Sequence, residues 1–266
     1  MRLVVTGASG YLGSHVARRA EGLGWDVVAA GFSRPGLPSV DVRDPAAVAR
    51  LVRGAKAVVH TAYVQDGPDA WSVTVEGAET VARAARAARL IHLSTDVVFG
   101  GEREGSYSEG DEPAPVTDYG RAKAEAEGRV ARAHPEALVV RTSLIYGGPG
   151  AESSKHERLP SGATFYTDEL RCPIQVNDLA GALLELVDAD VSGPLHVTGP
   201  DVLSRYELAR LFAASQGSDP DGIRGGPAPP GRPRNCALDS SRARALLQTE
   251  LRGARTVLGS GLQIEH

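Results

Sequence analysis

Cysteine is scarce: Cys172 and Cys236 are the only two in 266 residues, too few and too far apart for a disulfide framework. Both read as small packing side chains. A catalytic thiol at Cys172 is the lesser reading, because no histidine or carboxylate can be paired with it from the sequence. The seven histidines show no metal-ligand spacing such as H-E-x-x-H, so no metal is expected. Neither sign of charge is in excess. Lys and Arg total 29 against 33 Asp and Glu, a formal net charge of -4, which removes the basic footprint of a nucleic-acid or anionic-membrane binder. No apolar run is long enough to span a bilayer, and the opening "MRLVVTGASG" goes straight into a strand-like run and a turn. A cytoplasmic protein with no membrane partner is therefore expected. There is no internal repeat.

What is present is an alternation. Short β-rich apolar runs occur at "RLVVTG", "DVVAAG", "AVVHTA", "IHLSTDVVF", "ALVVRTSLIY" and "PLHVTG". Between most of them lie helix-like segments, "YLGSHVARRAEGLG", "DPAAVARLVRG", "DAWSVTVEGAETVARAARAA", "DYGRAKAEAEGRVARAH" and "NDLAGALLELVDAD", several opened by an Asp or Asn cap. Strand then helix, repeated, predicts right-handed crossovers and an α/β fold with a doubly wound parallel sheet of the Rossmann kind. After Tyr146 the pattern degrades into Gly/Pro-rich loops. The expected division is a dinucleotide-binding domain over 1–146 and a small substrate-binding lobe over 147–266, with 171–198, which contains "PLHVTG", returning to the sheet.

The first strand runs into "TGASGYLG", where Gly7, Gly10 and Gly13 bracket Ser9, Tyr11 and Leu12 at the mouth of a helix. Glycines there let the backbone turn tightly and approach a pyrophosphate held by helix N-terminal N–H groups. At the end of the second strand an acidic residue would accept hydrogen bonds from the ribose hydroxyls. This chain has Gly31, Phe32, Ser33 and Arg34 instead, so a 2′-phosphate would meet a cation. NADPH is the expected cofactor and NADH the alternative; the plain reading of Arg34 is a solvated loop arginine.

Tyr119 and Lys123 stand four residues apart, so a helix points both the same way. Ser94, Thr95 and Asp96 end a strand, at the sheet edge where doubly wound folds bind ligands. A carbonyl reduced there needs a proton donor. A phenol with a reference pKa of about 10 becomes suitable if an ammonium lies about 4 Å away, worth roughly 4 kcal/mol at an effective dielectric of about 20, or about three pKa units. Thr95 can hydrogen-bond the substrate oxygen as its charge grows. The bland alternative is a solvated helix decorated by chance. Trp71 reads as a packing anchor.

These residues resemble a known family, the extended short-chain dehydrogenase/reductases, through "TGASGYLG", "STDVVFGG", "YGRAK" and "VVRTSLIYG" in that order over nearly the whole chain. Within it the chain looks most like the dTDP-4-dehydrorhamnose reductase group, by "YSEGDEPAPVTDYGRAK" and a late "RPRNCALDSSRA". The resemblance implies Thr95, Tyr119 and Lys123 as a catalytic triad and Gly7, Gly10, Tyr11, Leu12 and Gly13 on the pyrophosphate. It also implies Asp41 and Val42 at the adenine, with Thr61, Ala62 and Tyr63 along the cofactor; a strand end and plain packing are the alternatives for Asp41, Val42 and Ala62. Thr95, Asp96, Val97 and Arg171 are the expected substrate side, Arg171 meeting a nucleotide phosphate or serving as an ion-pair residue. The group carries an aromatic where this chain has Val97 and a tryptophan where it has Leu144, and the segment after Tyr146 is short. The implied substrate is a nucleotide-linked 4-keto-6-deoxysugar. A reductase or epimerase of another carbonyl compound, or a dinucleotide-binding regulatory subunit like the methionine adenosyltransferase β subunits, are the other readings, and a homodimer is allowed.

Overall fold

The computed structural model describes residues 1–32 and 36–259. Five strands, β1 (Arg2–Thr6), β2 (Asp26–Ala30), β3 (Ala57–His60), β4 (Arg89–Thr95) and β5 (Leu138–Thr142), alternate with α1 (Tyr11–Gly22), α2 (Pro45–Leu51), α3 (Gly77–Ala84) and α4 (Asp118–Ala133). The short strands β6 (Ile145–Tyr146), β7 (Thr164–Tyr166), β8 (Leu170–Arg171) and β9 (Ile174–Gln175) precede α5 (Val176–Glu185) and β10 (Gly193–His196). The chain continues through β11 (Leu203–Ser204), α6 (Arg205–Ser215), β12 (Arg224–Gly226), α7 (Ser241–Leu246) and α8 (Ala254–Gly259).

Six strands form one sheet in the order β10-β5-β4-β3-β1-β2, and "PLHVTG" supplies its edge strand β10. Parallel pairing sets Leu3 opposite Val27, Thr6 opposite His60, and His60 opposite His92. All four side chains of β3 and all five of β5 are buried, as near-continuous apolar runs in a sheet covered on both faces require. Because β2 and β3 lie on opposite sides of β1, the strand order reverses there. The carboxyl ends of β1 and β3 frame the crevice where open α/β sheets take ligands.

Two compact units divide the chain. The first comprises Met1–Thr95, Asp118–Arg141 and Ala180–Leu195. Its core joins Val4, Val58, Leu90 and Val139 of the sheet to Val48 and Leu51 of α2, Val81 of α3 and Val130 of α4. Asp44 caps α2, accepting from the N–H of Ala46 (2.9 Å) and Ala47 (3.1 Å), with Pro45 preset for the first helical position. The long helix expected over "DAWSVTVEGAETVARAARAA" is divided: a π-turn, Ser72–Glu76, leads into α3, which ends at Ala84. Trp71, read as a packing anchor, is 47% exposed.

The second unit holds, among the described residues, Asp96–Thr117, Thr142–Leu179 and 196–259. It is built from two-stranded pieces, β6 with β9, β7 with β12 and β8 with β11. Tyr146, Leu203, Leu208, Phe212, Val257 and Leu258 form its core. The sequence reading missed α6 here. Its signal is "SRYE", a capping box in which Ser204 Oγ accepts from the Glu207 N–H (3.0 Å) and Glu207 Oε2 accepts from the Ser204 N–H (2.8 Å).

Candidate active site

The glycine turn lies where β1 meets α1. Gly7 has φ +72°, and a Cβ added there would come within 2.5 Å of the Ala62 nitrogen. A Cβ on Gly13 would lie 2.4 Å from the Gly7 carbonyl oxygen and 2.7 Å from Thr61 Oγ1. Only glycine lets the first turn of α1 sit this close to the end of β3. Gly10 caps α1 without a side-chain hydrogen bond, and no acidic residue occupies the first turn, so the positive end of the helix faces the turn uncompensated by side chains. Thr61 Oγ1 donates to the Thr6 carbonyl at 2.7 Å. Ser9 and Tyr11 are half-buried and Leu12 is buried. These residues fit a dinucleotide pyrophosphate.

On the far side of that crevice Asp41 is held by Arg43, whose Nη2 and Nε reach its carboxylate at 2.8 to 3.1 Å. The Arg43 contacts keep the Asp41 carboxyl below its ordinary range. Arg43 also donates to Asp69 (2.7 Å) and Ser72 (3.2 Å), orienting Asp41 from two sides. Sequence reasoning passed over Arg43; its position two residues after an expected adenine contact was the available signal. Val42, expected at the adenine, is 6% exposed and belongs to the core. Ser33 and Arg34 lie outside the described residues.

Thr95 ends β4 and is buried. On α4, Tyr119 is half-buried, Gly120 is buried and Lys123 is 3% exposed. The sequence-predicted triad is therefore carried wholly by the first unit. Lys123 Nζ donates to the Leu93 carbonyl on β4. Burial pushes its pKa down to about 8, partly offset by Glu127 one turn further along α4. Glu127 is itself bound by Arg141 of β5 at 2.8 Å, both side chains being under a tenth exposed. The Tyr63 ring lies 5.6 Å from the Tyr119 ring, centroid to centroid, and 5.9 Å from Lys123 Nζ.

Beneath this group lie two histidines that sequence reasoning did not use. His60 and His92, neighbours on β3 and β4, stack at 5.3 Å and are 1% exposed. Thr6 Oγ1 is 2.6 Å from His60 Nδ1. Burial, with the Lys123 charge a smaller cause, pushes His60 down to about 3 and His92 well below its ordinary value, so both rings are neutral.

Asp96 and Arg171 belong to the second unit. Asp96 is 3% exposed and accepts from Ser143 Oγ at 2.5 Å; Val97 is half-buried. Arg171 is 2% exposed. It donates to the carbonyls of Leu170 (2.7 Å), Arg234 (3.0 Å) and Pro233 (2.9 Å) and faces Glu169 at 3.2 Å and Asp96 at 3.6 Å. Each of its three guanidinium nitrogens meets an oxygen of its own unit. Of the two readings of Arg171, these contacts are those of an ion-pair residue. Burial pushes the Cys172 thiol up to about 11, so it stays protonated and inert near neutrality. Among the described residues no group of three or more His, Cys, Asp or Glu is placed to hold a metal ion, and no helix is long and apolar enough to cross a membrane.

Comparison with known proteins places this geometry. The chain is 38% identical over 285 residues to dTDP-4-dehydrorhamnose reductase of Mycobacterium tuberculosis, covering 98% of this chain and 92% of that protein. It is 30% identical to methionine adenosyltransferase 2 subunit beta of Mus musculus, over 98% of this chain and 86% of that one. The crystal structure of dTDP-4-dehydrorhamnose reductase from Bacillus anthracis in complex with NADP superposes with a TM-score of 0.83 at 22% identity, over 98% of both chains. With the RmlD substrate binding domain matched over residues 1–265, the chain belongs to the RmlD family of the extended short-chain dehydrogenase/reductases.

Proposed function

We propose that the chain is an NAD(P)-dependent oxidoreductase that reduces the keto group of a nucleotide-linked 4-keto-6-deoxysugar, with NADPH as its preferred cofactor. The observation that carries this reading is Tyr119 and Lys123 one turn apart on α4, in the same unit as Thr95 and the glycine turn. Similarity to the mycobacterial reductase supports the substrate class. The NADP in the Bacillus anthracis structure supports the cofactor.

A bound reduced dinucleotide supplies a hydride to the carbonyl carbon. The chain's own residues do the rest. Gly7, Ser9, Gly10, Tyr11, Leu12 and Gly13 at the N-terminus of α1 would hold the dinucleotide's pyrophosphate, Asp41 would meet the adenine end with the Val42 side chain packed in the core behind it, and Thr61, Ala62 and Tyr63 would line its length. Tyr119 gives its phenolic proton to the carbonyl oxygen as charge develops there. Thr95 donates a hydrogen bond to the same oxygen, and Lys123 binds the ribose hydroxyls and holds the phenol acidic. Asp96 and Val97 follow Thr95 directly and border the sugar. The enzyme acts in the cytoplasm.

Following NADPH consumption with dTDP-4-dehydrorhamnose tests this. Tyr119→Phe is expected to lose about 10²- to 10⁴-fold in turnover while its Kd for NADPH stays within about three-fold, because the phenol acts on the transition state. A Tyr119→Phe protein keeping most of its rate would sink the proton-donor role. Cofactor choice is read from the two dissociation constants: NADPH should bind the tighter, and Arg34→Glu should reverse the order, the charge pair being worth about 1–3 kcal/mol. The likeness to the methionine adenosyltransferase 2 β subunits favours a second reading, a regulatory subunit. Tight NADPH binding with no turnover of any keto-sugar would select it.

A further inference from the structure

Tyr63 is fixed in place by its neighbour. Thr74, 1% exposed in the π-turn before α3, holds both backbone polar atoms of Val64: its Oγ1 donates to the Val64 carbonyl (2.9 Å) and accepts from the Val64 N–H (3.1 Å). Insertions of π-type recur where a helix serves a site. Here the turn anchors the segment after β3 and sets the Tyr63 ring beside Tyr119 and within 5.9 Å of Lys123 Nζ.

The groups that face Lys123 leave its ammonium short of countercharge. From β3 comes His60 and from β4 His92, both neutral, their own protonation opposed by burial and by the Lys123 charge, so neither supplies countercharge. From β4 comes also the Leu93 carbonyl, an acceptor. Along α4 lie Tyr119, one turn before, and Glu127, one turn after. The Glu127 carboxylate is engaged by Arg141 of β5 through three contacts of 2.8 to 3.2 Å. A buried cation in such surroundings is stabilised by the negative face of an aromatic ring.

We infer that Tyr63 is a positioning residue of the reaction, its ring face holding the Lys123 ammonium in its charged form beside Tyr119. The consequence for turnover rests on the reductase reading; the contact between ring and cation does not. Only the face is required, not the phenolic hydroxyl, so phenylalanine should replace tyrosine and an aliphatic side chain should not. Tyr63 is 44% exposed, so substitution there leaves the core intact, which circular dichroism checks.

The chain has three lysines, Lys56, Lys123 and Lys155. In protein labelled with ¹⁵N-lysine, the Lys123 Nζ signal is therefore assigned by Lys56→Arg and Lys155→Arg and titrated with no cofactor or substrate present. The native midpoint is expected at about 8. Tyr63→Phe should keep it, and Tyr63→Leu should lower it by about 0.5–1 pH unit. With substrate, the alkaline limb of kcat/KM should move down by the same amount in Tyr63→Leu alone. An unchanged midpoint in Tyr63→Leu overturns the inference, and so does a raised one, which would make the ring a cover that merely excludes water. A Tyr63→Phe protein that titrates like Tyr63→Leu also overturns it. Failure of every keto-sugar to turn over would count against the reductase reading and leave the titration standing.

Discussion

Lys123 and Arg171 are buried to the same degree, 3% and 2% exposed, one in each unit of the molecule. Their surroundings differ in kind. Arg171 has three carbonyl acceptors and two carboxylates around its fork, one of them also paired with Arg232 at 2.7 Å. Lys123 has a carbonyl, an aromatic face and two neutral imidazoles, and burial pushes it down to about 8. A fully partnered buried cation holds structure together, whereas one left short of partners keeps the capacity to bind a hydroxyl or move a proton.

Removing each cation should therefore fail in opposite ways. Arg171→Met leaves Asp96 buried without its countercharge and Glu169 with Arg232 alone, and is expected to cost about 3–5 kcal/mol of stability in chemical denaturation. A loss below about 1 kcal/mol would erase the contrast. Lys123→Met removes a charge that burial already disfavours, so stability at pH 7 should hold or rise by up to about 2 kcal/mol while turnover falls by about 100-fold. The pH dependence sharpens this. A lysine at about 8 in the native state and 10.5 when unfolded binds fewer protons folded than unfolded between those values. Native stability should climb over that window, and in Lys123→Met the climb should vanish.

The histidines below carry the comparison into acid. His60 is held at about 3 against an ordinary 6.5, and His92 is lowered in the same direction. Depressed in the native state, both must resist protonation as the pH falls below about 6.5. Stability should then decline by about 1.4 kcal/mol per pH unit for each ring. His60→Asn and His92→Asn should each flatten the curve between pH 6.5 and 4, read from denaturation midpoints. Parallel curves for native protein and variants would remove the histidines from the comparison.

Much of the first unit was legible because its signals are local. "RLVVTG" and "AVVHTA" are buried strands by composition alone, Asp44 and Pro45 announce α2, and the spacing of Tyr119 and Lys123 puts them on one face of α4 whatever surrounds it. The second unit was less legible, since β8, β9 and β11 are two residues long and exist through partners distant in sequence. The capping boxes "SKHE" and "SRYE" offered local marks there. Trp71 and the division of the helix around it were missed because a π-turn follows from tertiary packing and not from periodicity.

By itself, then, the chain determined the doubly wound sheet, the glycine turn and the placing of Tyr119 and Lys123 on one helix face, because strand and helix periods and the steric freedom of glycine act over a few residues. Tertiary structure alone decided which polar groups are saturated. Arg171 carries the same charge in any loop, and only the carbonyls of Leu170, Pro233 and Arg234 with the carboxylates of Asp96 and Glu169 make it structural. His60 with Tyr63, His92, and Lys123 come from three separate stretches of chain. Their protonation and mutual support depend on burial and on distances of 5 to 6 Å across the fold, and solvation at that range has no counterpart in sequence spacing.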